Sequence, residues 1–378
     1  MKILILNWRS IKDPMEGGAE RATFEFAKRW VKNHNAKVIW LSPSYDNKIK
    51  SESIEGVDFE YIGLPLSRNI FWLLLSFPYF YLSVIKIYFK KFKGNVDVVI
   101  DQVHGIPYLT PIYVKEKIVV YIHEVGGEIW KIMYPFPINL IGQLTEKLIF
   151  YIYKVKNIQF IANSKSTATD LINDLKINKK NIAIVECGVT APNIKFEQLP
   201  IKELNLTIIY LNRIVKMKGI ERAISVFSEI IKKYPKANMW VVGRGDENYI
   251  ESIKDKCKQL GILDSIKFYG FVEDTEKYVL LGESHVLINP SYLEGWGLVN
   301  IEANRMGTPV VAFDVKGCRD SVVNGINGYL SPEGNIESMV EKIFKIYEKE
   351  NLQESSWKYS NDFEWDSLEK KFFKQLEK

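Results

Sequence analysis

The chain has 378 residues, which is long for one hydrophobic core and fits two domains of roughly 150 to 200 residues each. Its composition, 47% apolar and 26% charged, is typical of a folded globular protein rather than a disordered one. The formal net charge is only +5, and lysines and arginines form no stripe interleaved with aromatic residues, which argues against nucleic acid as a partner.

The first residues, MKILILNW, form too short an apolar run for a secretory signal and predict a buried strand. Cys187, Cys257 and Cys318 lie far apart, and no Cys-x-x-Cys or zinc-like spacing occurs. We therefore expect free thiols and a cytoplasmic protein.

Short apolar runs then alternate with longer helical patterns, which predicts βαβ units and parallel sheets covered on both faces. The first series of predicted strands comprises residues 3–7, 37–41, 96–101, 118–123 and 159–163. The second series comprises residues 206–211, 237–242, 266–269, 286–289 and 309–313. Two such series predict an α/β fold with two Rossmann-like, doubly wound parallel sheets.

A polar segment with two prolines, APNIKFEQLPIKELN, separates the two series and is typical of a linker. We place the boundary there, which gives a first domain of residues 1–196 and a second of residues 197–356. The last segment, 357–378, is amphipathic, and its large apolar side chains need a surface to cover them.

One apolar stretch, residues 70–89, is about long enough to cross a bilayer at ~1.5 Å per residue, and lysines follow it. Pro78 and Lys86 interrupt it, and its flanking strands belong to one predicted sheet, so a transmembrane helix is disfavoured. A buried helix and an amphipathic surface on an anionic membrane are the alternatives. A second aromatic and basic stretch, 134–156, favours the membrane surface.

The most informative segment is INPSYLEGWGLVNIEANRMGTPVVAF, residues 288–313. It predicts a strand, a tight turn at Gly295 and Gly297, a helix and a second strand. The helix then starts at the carboxyl edge of the sheet, by which we mean the edge where parallel strands end and anions bind. Glu294 and Glu302 would both face this edge and suit sugar or ribose hydroxyls. The alternative is that one glutamate only interacts with the helix dipole and the other is a solvated surface residue.

A second constellation lies in TIIYLNRIVKMKGIERAISVF, where a strand leads into a helix. Arg213 and Lys218 fall at this junction. The planar guanidinium group of an arginine and the mobile ammonium group of a lysine together suit a diphosphate. Ordinary solvation of the loop is the alternative.

The first predicted domain contributes two weaker signals. Gly17 and Gly18 follow the first strand and open a helix, where glycine permits close approach of a ligand to the backbone. His123 ends a predicted strand and could hydrogen-bond a sugar hydroxyl. The alternatives are that the two glycines form only a flexible turn and that His123 only hydrogen-bonds a loop carbonyl.

Together and in this order, these segments resemble the retaining family 4 (group 1) glycosyltransferases of the GT-B fold, whose two Rossmann-like domains face a central cleft. The resemblance covers nearly the whole chain and rests on NRIVKMKG, VVGRGDE, FYGFVED, PSYLEGWGLVNIEA, GTPVVA and GCRDSVVNGINGYL, with GGAE, HE and ANS in the first half. It also implies that the helix in 357–378 returns to the first domain.

The resemblance implies a role for each candidate residue. Arg213 and Lys218 would hold the donor diphosphate, Glu302 the ribose hydroxyls, and Glu294 the hydroxyls of the transferred sugar. The further donor contacts implied in the second domain are the main chain of Gly297, Leu298 and Val299, and the nucleobase-facing Phe271 and Val272.

In the first domain, the turn of Gly17 and Gly18 would close on the donor phosphates and His123 would touch the transferred sugar. The family's usual Gly-Arg pair appears here as Asn212-Arg213. Because asparagine is, after glycine, the residue most tolerant of a left-handed backbone, we expect the turn to be kept.

The implied reaction moves a sugar from a nucleotide-sugar, a co-substrate rather than a cofactor, to a glycan, lipid-linked or other hydroxyl acceptor, in surface polysaccharide or glycolipid assembly. Retention of configuration is implied. No Asp-x-Asp tripeptide occurs, which agrees with metal-independent transfer. The location expected is the cytoplasm, with peripheral contact at the inner face of the cell membrane as an alternative.

Two rival functions stay open: a nucleotide-sugar epimerase or hydrolase on the same fold, and a non-catalytic subunit that binds a sugar nucleotide. The first would form product without an acceptor, and the second would bind the donor without turnover. A dehydrogenase is disfavoured because Asn248 stands where the third glycine of a dinucleotide fingerprint beginning at Gly243 belongs.

Overall fold

The structure, a computed structural model, describes residues 1–13, 16–46, 48–63, 70–104 and 106–378. The chain divides into two compact units, of which the first comprises Met1–Cys187 with Trp365–Lys378 and the second comprises Gly188–Glu364. Each unit is built on one mostly parallel sheet. The predicted α/β fold with two parallel sheets is therefore confirmed.

The first unit is built on an eight-stranded sheet. Its strands are β1 (Lys2–Leu6), β2 (Lys37–Pro43), β3 (Ser51–Ile54), β4 (Val57–Ile62), β5 (Val98–His104), β6 (Lys117–Glu124), β7 (Gln159–Ala162) and β8 (Ile182–Ile184). They lie in the order β3-β4-β2-β1-β5-β6-β7-β8, with β3 antiparallel to β4. The predicted strands of this half appear with ends shifted by a few residues, whereas β3, β4 and β8 lie outside the predicted set.

Helices cover this sheet on both faces. The helices of residues 1–187 are α1 (Gly18–His34), α2 (Ile70–Ile87), α3 (Thr110–Tyr113), α4 (Gly127–Met133), α5 (Ile138–Val155) and α6 (Lys165–Asn173). Within the described residues, no helix has both the length and the apolar character needed to cross a bilayer.

Two of these helices, α2 and α5, lie on the same face of the sheet. Buried residues of α2 cluster with Leu6, and those of α5 cluster with Val120. The strand register pairs Leu6 with Asp101 and Asp101 with Val120. Because paired residues of neighbouring strands point to the same side of a sheet, both helices cover one side of the unit.

The second unit is built on a six-stranded sheet whose described strand pairs are parallel. Its strands are β9 (Thr207–Leu211), β10 (Asn238–Val242), β11 (Ile266–Gly270), β12 (Val286–Asn289), β13 (Val310–Phe313) and β14 (Gly328–Ser331), in the order β11-β10-β9-β12-β13-β14. Its helices are α7 (Ile220–Lys233), α8 (Glu247–Gln259), α9 (Asp274–Glu283), α10 (Leu298–Arg305), α11 (Cys318–Ser321), α12 (Ile336–Lys349) and α13 (Gln353–Ser360). Apart from the edge strand β11, these strands are almost wholly buried, as expected for parallel strands covered on both faces.

The chain leaves the first unit after Cys187 rather than near the predicted position 197. The segment that follows is fixed to the second unit by hydrogen bonds. Val189 N donates to Phe363 O over 3.0 Å, and the hydroxyl of Tyr278 donates to Thr190 O. Contacts rather than composition thus set the boundary.

The chain returns to the first unit at Trp365 rather than at residue 357. The last helix, α14 (Trp365–Glu377), packs on α1, with the ring centroids of Phe372 and Phe26 4.9 Å apart. Trp357, by contrast, lies in α13 of the second unit with its ring 6.1 Å from that of Phe196.

Candidate functional site

Three candidate residues of the second unit, Arg213, Lys218 and Glu294, lie where the order of the strands in the sheet reverses. Strands β9 and β12 are neighbours, while β10 continues the sheet beyond β9 and β13 continues it beyond β12. Loops that follow two such strands diverge and leave a crevice at the carboxyl edge. The loop after β9 carries Arg213 and Lys218, and the loop after β12 carries Glu294.

Lys218 and Glu294 form an ion pair at this edge of the sheet. Lys218 Nζ lies 2.7 Å from Glu294 Oε2, and the two side chains are only 11% and 9% exposed. Glu294 Oε1 accepts hydrogen bonds from Ser291 Oγ at 2.7 Å and Asn212 Nδ2 at 3.3 Å. Because these groups are already held and largely desolvated, a bound anion would meet Lys218 with little reorganisation.

Glycine allows the two loops to touch. Gly219 has φ +71°, and a Cβ atom built on it would lie 2.1 Å from the Pro290 carbonyl oxygen. Beside this contact, Tyr292 N donates to Met217 O over 3.0 Å. A side chain at position 219 would force apart the loops that bring Lys218 to Glu294.

A third loop, after β13, holds the backbone of Glu294 from behind. Glu294 N donates to Lys316 O over 3.1 Å, and a Cβ atom on Gly317 would lie 2.3 Å from Glu294 O. The sequence signal was present, because Gly317 opens the segment GCRDSVVNGINGYL, but its contact could be seen only once the strand order was known.

Asn212 differs from the sequence-based expectation. It is not among the residues with positive φ, so the expected left-handed turn is wrong. Its side chain instead accepts a hydrogen bond from Arg213 N at 3.1 Å and donates to Glu294, a bond that glycine could not make. The side chain of Arg213 next to it is exposed.

The helix α10 begins as predicted at this edge. Gly297 precedes it with φ +83°, which turns the chain into the helix at Leu298 and Val299. Asn300 braces the start, since Asn289 Nδ2 donates to its Oδ1 over 2.9 Å and its own Nδ2 donates to Ser321 Oγ over 2.9 Å. The first N–H groups of such a helix suit an anion or a sugar oxygen.

Glu302, on α10, has a cation of its own. Its Oε1 lies 2.8 Å from Nζ of Lys277, on α9, which also pairs with Asp274. Burial alone would lower the pKa of Lys277, but the two carboxylates outweigh it and raise that pKa. Glu294 and Glu302 are thus held by different partners. Sequence reasoning missed Lys277, because nothing in its local spacing points to Glu302.

Phe271 and Val272 follow β11, and the Phe271 ring is exposed. The guanidinium carbon of Arg244, in the loop after β10, lies 3.7 Å from the centroid of that ring. The sequence analysis assigned Arg244 no role beyond its place in the motif VVGRGDE and in an incomplete dinucleotide fingerprint. The stacked pair offers a flat, cationic surface that suits an aromatic base.

In the first unit the structure brings Gly17, Gly18 and His123 to one sheet edge through Gln102. Gln102, on β5, donates to Ala19 O in the first turn of α1 over 3.3 Å, and its Nε2 lies 3.5 Å from His123 Nε2. Gln102 lies between the two predicted elements, but no motif marks it.

The backbone at Gly17 is extended, with φ −139° and ψ −171°, which any residue can adopt. The backbone conformation therefore does not require glycine at this position, and close approach of a ligand stays the predicted reason for it. Gly17 N donates to Oε2 of the buried Glu20 over 2.8 Å.

Two protein-family models match the chain: "Glycosyltransferase Family 4" over residues 16–191 and "Glycosyl transferases group 1" over residues 193–362. An uncharacterized glycosyltransferase of Haemophilus influenzae is 34% identical over 42% of this chain and 43% of its own length. The capsular polysaccharide biosynthesis glycosyltransferase CapM of Staphylococcus aureus is 30% identical over 44% of this chain and 45% of its own length. The chain thus spans less than half the length of these two relatives.

The crystal structure of Anabaena HepE in complex with UDP-glucose superimposes with a TM-score of 0.75 at 17% identity, over 100% of this chain and 99% of that one. At this level of identity the likeness concerns the fold.

Proposed function

The chain belongs to the family 4 (group 1) glycosyltransferases of the GT-B fold, and from this premise we propose that it transfers a sugar from a nucleotide-sugar donor to a hydroxyl acceptor, retaining the anomeric configuration. The observation that carries the proposal is the Lys218–Glu294 ion pair, which lies where the order of the strands in the second sheet reverses. A cation held there suits a diphosphate, and a carboxylate beside it suits sugar hydroxyls.

The bond between the anomeric carbon and the diphosphate breaks, and both electrons leave with the nucleoside diphosphate. Lys218, Arg213 and the start of α10 stabilise the charge that grows there, so that no metal is needed. The acceptor oxygen attacks from the same face, and its proton passes to the departing phosphate oxygen. Glu294 orients the sugar through its hydroxyls.

The remaining donor contacts follow the family resemblance. Glu302 binds the ribose hydroxyls, and the main chain of Gly297, Leu298 and Val299 approaches the sugar and phosphates. Phe271 and Val272 lie against the nucleobase. The stack of Arg244 on Phe271 supports this last assignment, because its flat face can extend a stack of rings.

For the first unit we propose that the turn of Gly17 and Gly18 contacts the donor phosphates and that His123 contacts the transferred sugar. His123 is buried to 5% exposure beside the Tyr121 ring, whose centroid lies 4.3 Å away. Such a fixed imidazole can offer one directed hydrogen bond to a neutral hydroxyl.

The acceptor proposed is a glycan or a lipid-linked sugar in surface polysaccharide or glycolipid assembly. The name of CapM, a capsular polysaccharide glycosyltransferase, supports this setting. The UDP-glucose bound by HepE supports a nucleotide-sugar as the donor class.

The proposal is tested first by thermal shift against UDP-, GDP-, ADP- and dTDP-sugars. The stabilising donor, carrying a labelled sugar, is then incubated with and without candidate acceptors, and the anomeric configuration of the product is read by NMR. We expect label in the acceptor with the donor's configuration. Free sugar or an epimer from the donor alone would indicate a hydrolase or epimerase, and binding without any turnover a non-catalytic subunit.

A further inference from the structure

The outward face of α5 is apolar although it faces solvent. Its exposed side chains follow helical spacing along the whole helix, and each is between 58 and 67% exposed. They are Ile141, Leu144, Leu148, Tyr151 and Val155. The opposite side of α5, including Phe150 and Tyr153, is buried in the core. A surface helix normally carries polar residues on its outer side, so this stripe is an unpartnered apolar face.

Helix α2 extends this surface. Tyr79, Leu82 and Phe89, in and just after α2, are exposed, while the intervening Phe80 and Val84 are buried in the core. Since α2 and α5 cover the same face of the sheet, their outward sides lie on one side of the unit. The side chains of residues 70–77 lie outside the described part of the structure.

Within the two helical segments, the exposed charges have one sign. Exposed lysines flank both helices, namely Lys86, Lys90, Lys93, Lys147, Lys154 and Lys156. Residues 78–93 contain no acidic residue, and 134–156 contain one, Glu146. Glu146 is buried and accepts hydrogen bonds from Gly126 N and Gly127 N at 2.6 and 2.9 Å. The outward surface is thus apolar and basic.

We propose that the outward faces of α2 and α5 dock the protein on the surface of an anionic lipid bilayer. The apolar stripe enters the boundary of the acyl chains and the lysines meet the headgroup phosphates. The proposal combines the two sequence-based alternatives for residues 70–89, since the described part of α2 has buried side chains on one side and exposed ones on the other. A second copy of the chain fits less well, because it would bring lysines against lysines.

Vesicle flotation tests the proposal, with phosphatidylcholine alone and with equal parts of phosphatidylcholine and phosphatidylglycerol. We expect binding to the anionic vesicles only, weakened by high salt. Leu144→Gln with Leu148→Gln should weaken binding about tenfold or more, because two side chains lose their apolar contact. Lys147→Gln with Lys154→Gln should weaken it roughly fivefold per charge removed.

The matched control is Ile201→Gln with Leu204→Gln, two apolar side chains of the second unit that are each 91% exposed. This control should bind vesicles like the unchanged protein. Equal binding to both vesicle types, no binding at low salt, or undiminished binding of the Leu144 and Leu148 variant would each overturn the proposal. So would a dimer that the same variant abolishes, without binding to vesicles. If that variant fails to fold, the Lys147 and Lys154 variant decides. None of these measurements depends on sugar transfer.

Discussion

The two sheets place different chemistry at the same position. In the second unit, the edge between β9 and β12 carries the ion pair of Lys218 and Glu294. In the first unit, the order of the strands reverses between β1 and β5. There Asn7 Nδ2 donates to Gln102 Oε1 over 2.7 Å, and Gln102 adjoins His123. One edge holds an ion pair, whereas the other holds a row of hydrogen-bonding side chains, Asn7, Gln102 and His123, near the buried carboxylate of Glu20. In both units the order of the strands determines where the candidate site residues lie, whereas the residues of the loops and strand ends determine the chemistry available there.

The largest effect is expected from the charged edge. Lys218→Ala and Glu294→Ala should each lower turnover by roughly 100- to 1000-fold, because each removes a group that acts on the departing diphosphate or the sugar. Transfer assays under donor saturation measure this. Lys232→Ala is the control, since Lys232 is 67% exposed and pairs with Glu229 on its own helix, α7. Near-normal turnover in either site variant would remove that residue from the site.

Substitutions at two glycines distinguish the effect of the close contact between the loops from the effect of backbone strain alone. Gly219 and Gly261 have φ of +71° and +68°, but only at Gly219 would a Cβ atom collide, 2.1 Å from Pro290 O. Gly219→Ala should lower kcat/KM by about 10- to 100-fold, because it displaces Lys218 from Glu294. Gly261→Ala should cost only about 1 kcal/mol of stability. Equal activity of the two variants would argue against a clamped loop.

The edge with Gln102 and His123 should respond less than the edge with the ion pair. His123→Ala removes one hydrogen bond to an uncharged hydroxyl, so we expect a fall in kcat/KM of about tenfold, with the thermal midpoint recorded alongside. A loss as large as that of Lys218→Ala would break the contrast between the edges and assign His123 a part in charge stabilisation.

The smallest effect is expected at Asn212. Its bond to Glu294 is long, at 3.3 Å, and Asn212→Gly should reduce turnover by roughly threefold to fivefold. Asn212→Asp should reduce it further, because a second carboxylate would then face Glu294. The transfer assay compares the turnover of the two variants. A higher turnover of Asn212→Asp than of Asn212→Gly would show that the bond from the Asn212 amide to Glu294 is unimportant.

The core strands of both sheets were predictable because parallel strands buried on both faces appear as continuous apolar runs. The missed strands lack that signal. β3, SESI, is a largely exposed edge strand, and β4, VDFEYI, alternates buried and half-buried positions. Such short, partly polar strands resemble loops in composition, and their pairing is visible only in the folded sheet.

The candidate site shows the same division. Residues at strand ends, such as Lys218 and Glu294, could be placed because a motif and a strand-to-helix junction coincide there. The partners Lys277 and Gln102 could not, since each comes from a distant part of the chain and depends on the order of neighbouring elements. The bond from Asn212 to Glu294 was missed for the same reason.

The return of α14 to the first unit bears on how the chain is made. Phe372 packs against Phe26 and Trp30, and the buried Glu369 accepts a hydrogen bond from His34 over 2.6 Å. During synthesis the second unit leaves the ribosome before these residues do. The first unit must therefore wait, with aromatic side chains uncovered, until α14 arrives, whereas the second unit can complete its core before that.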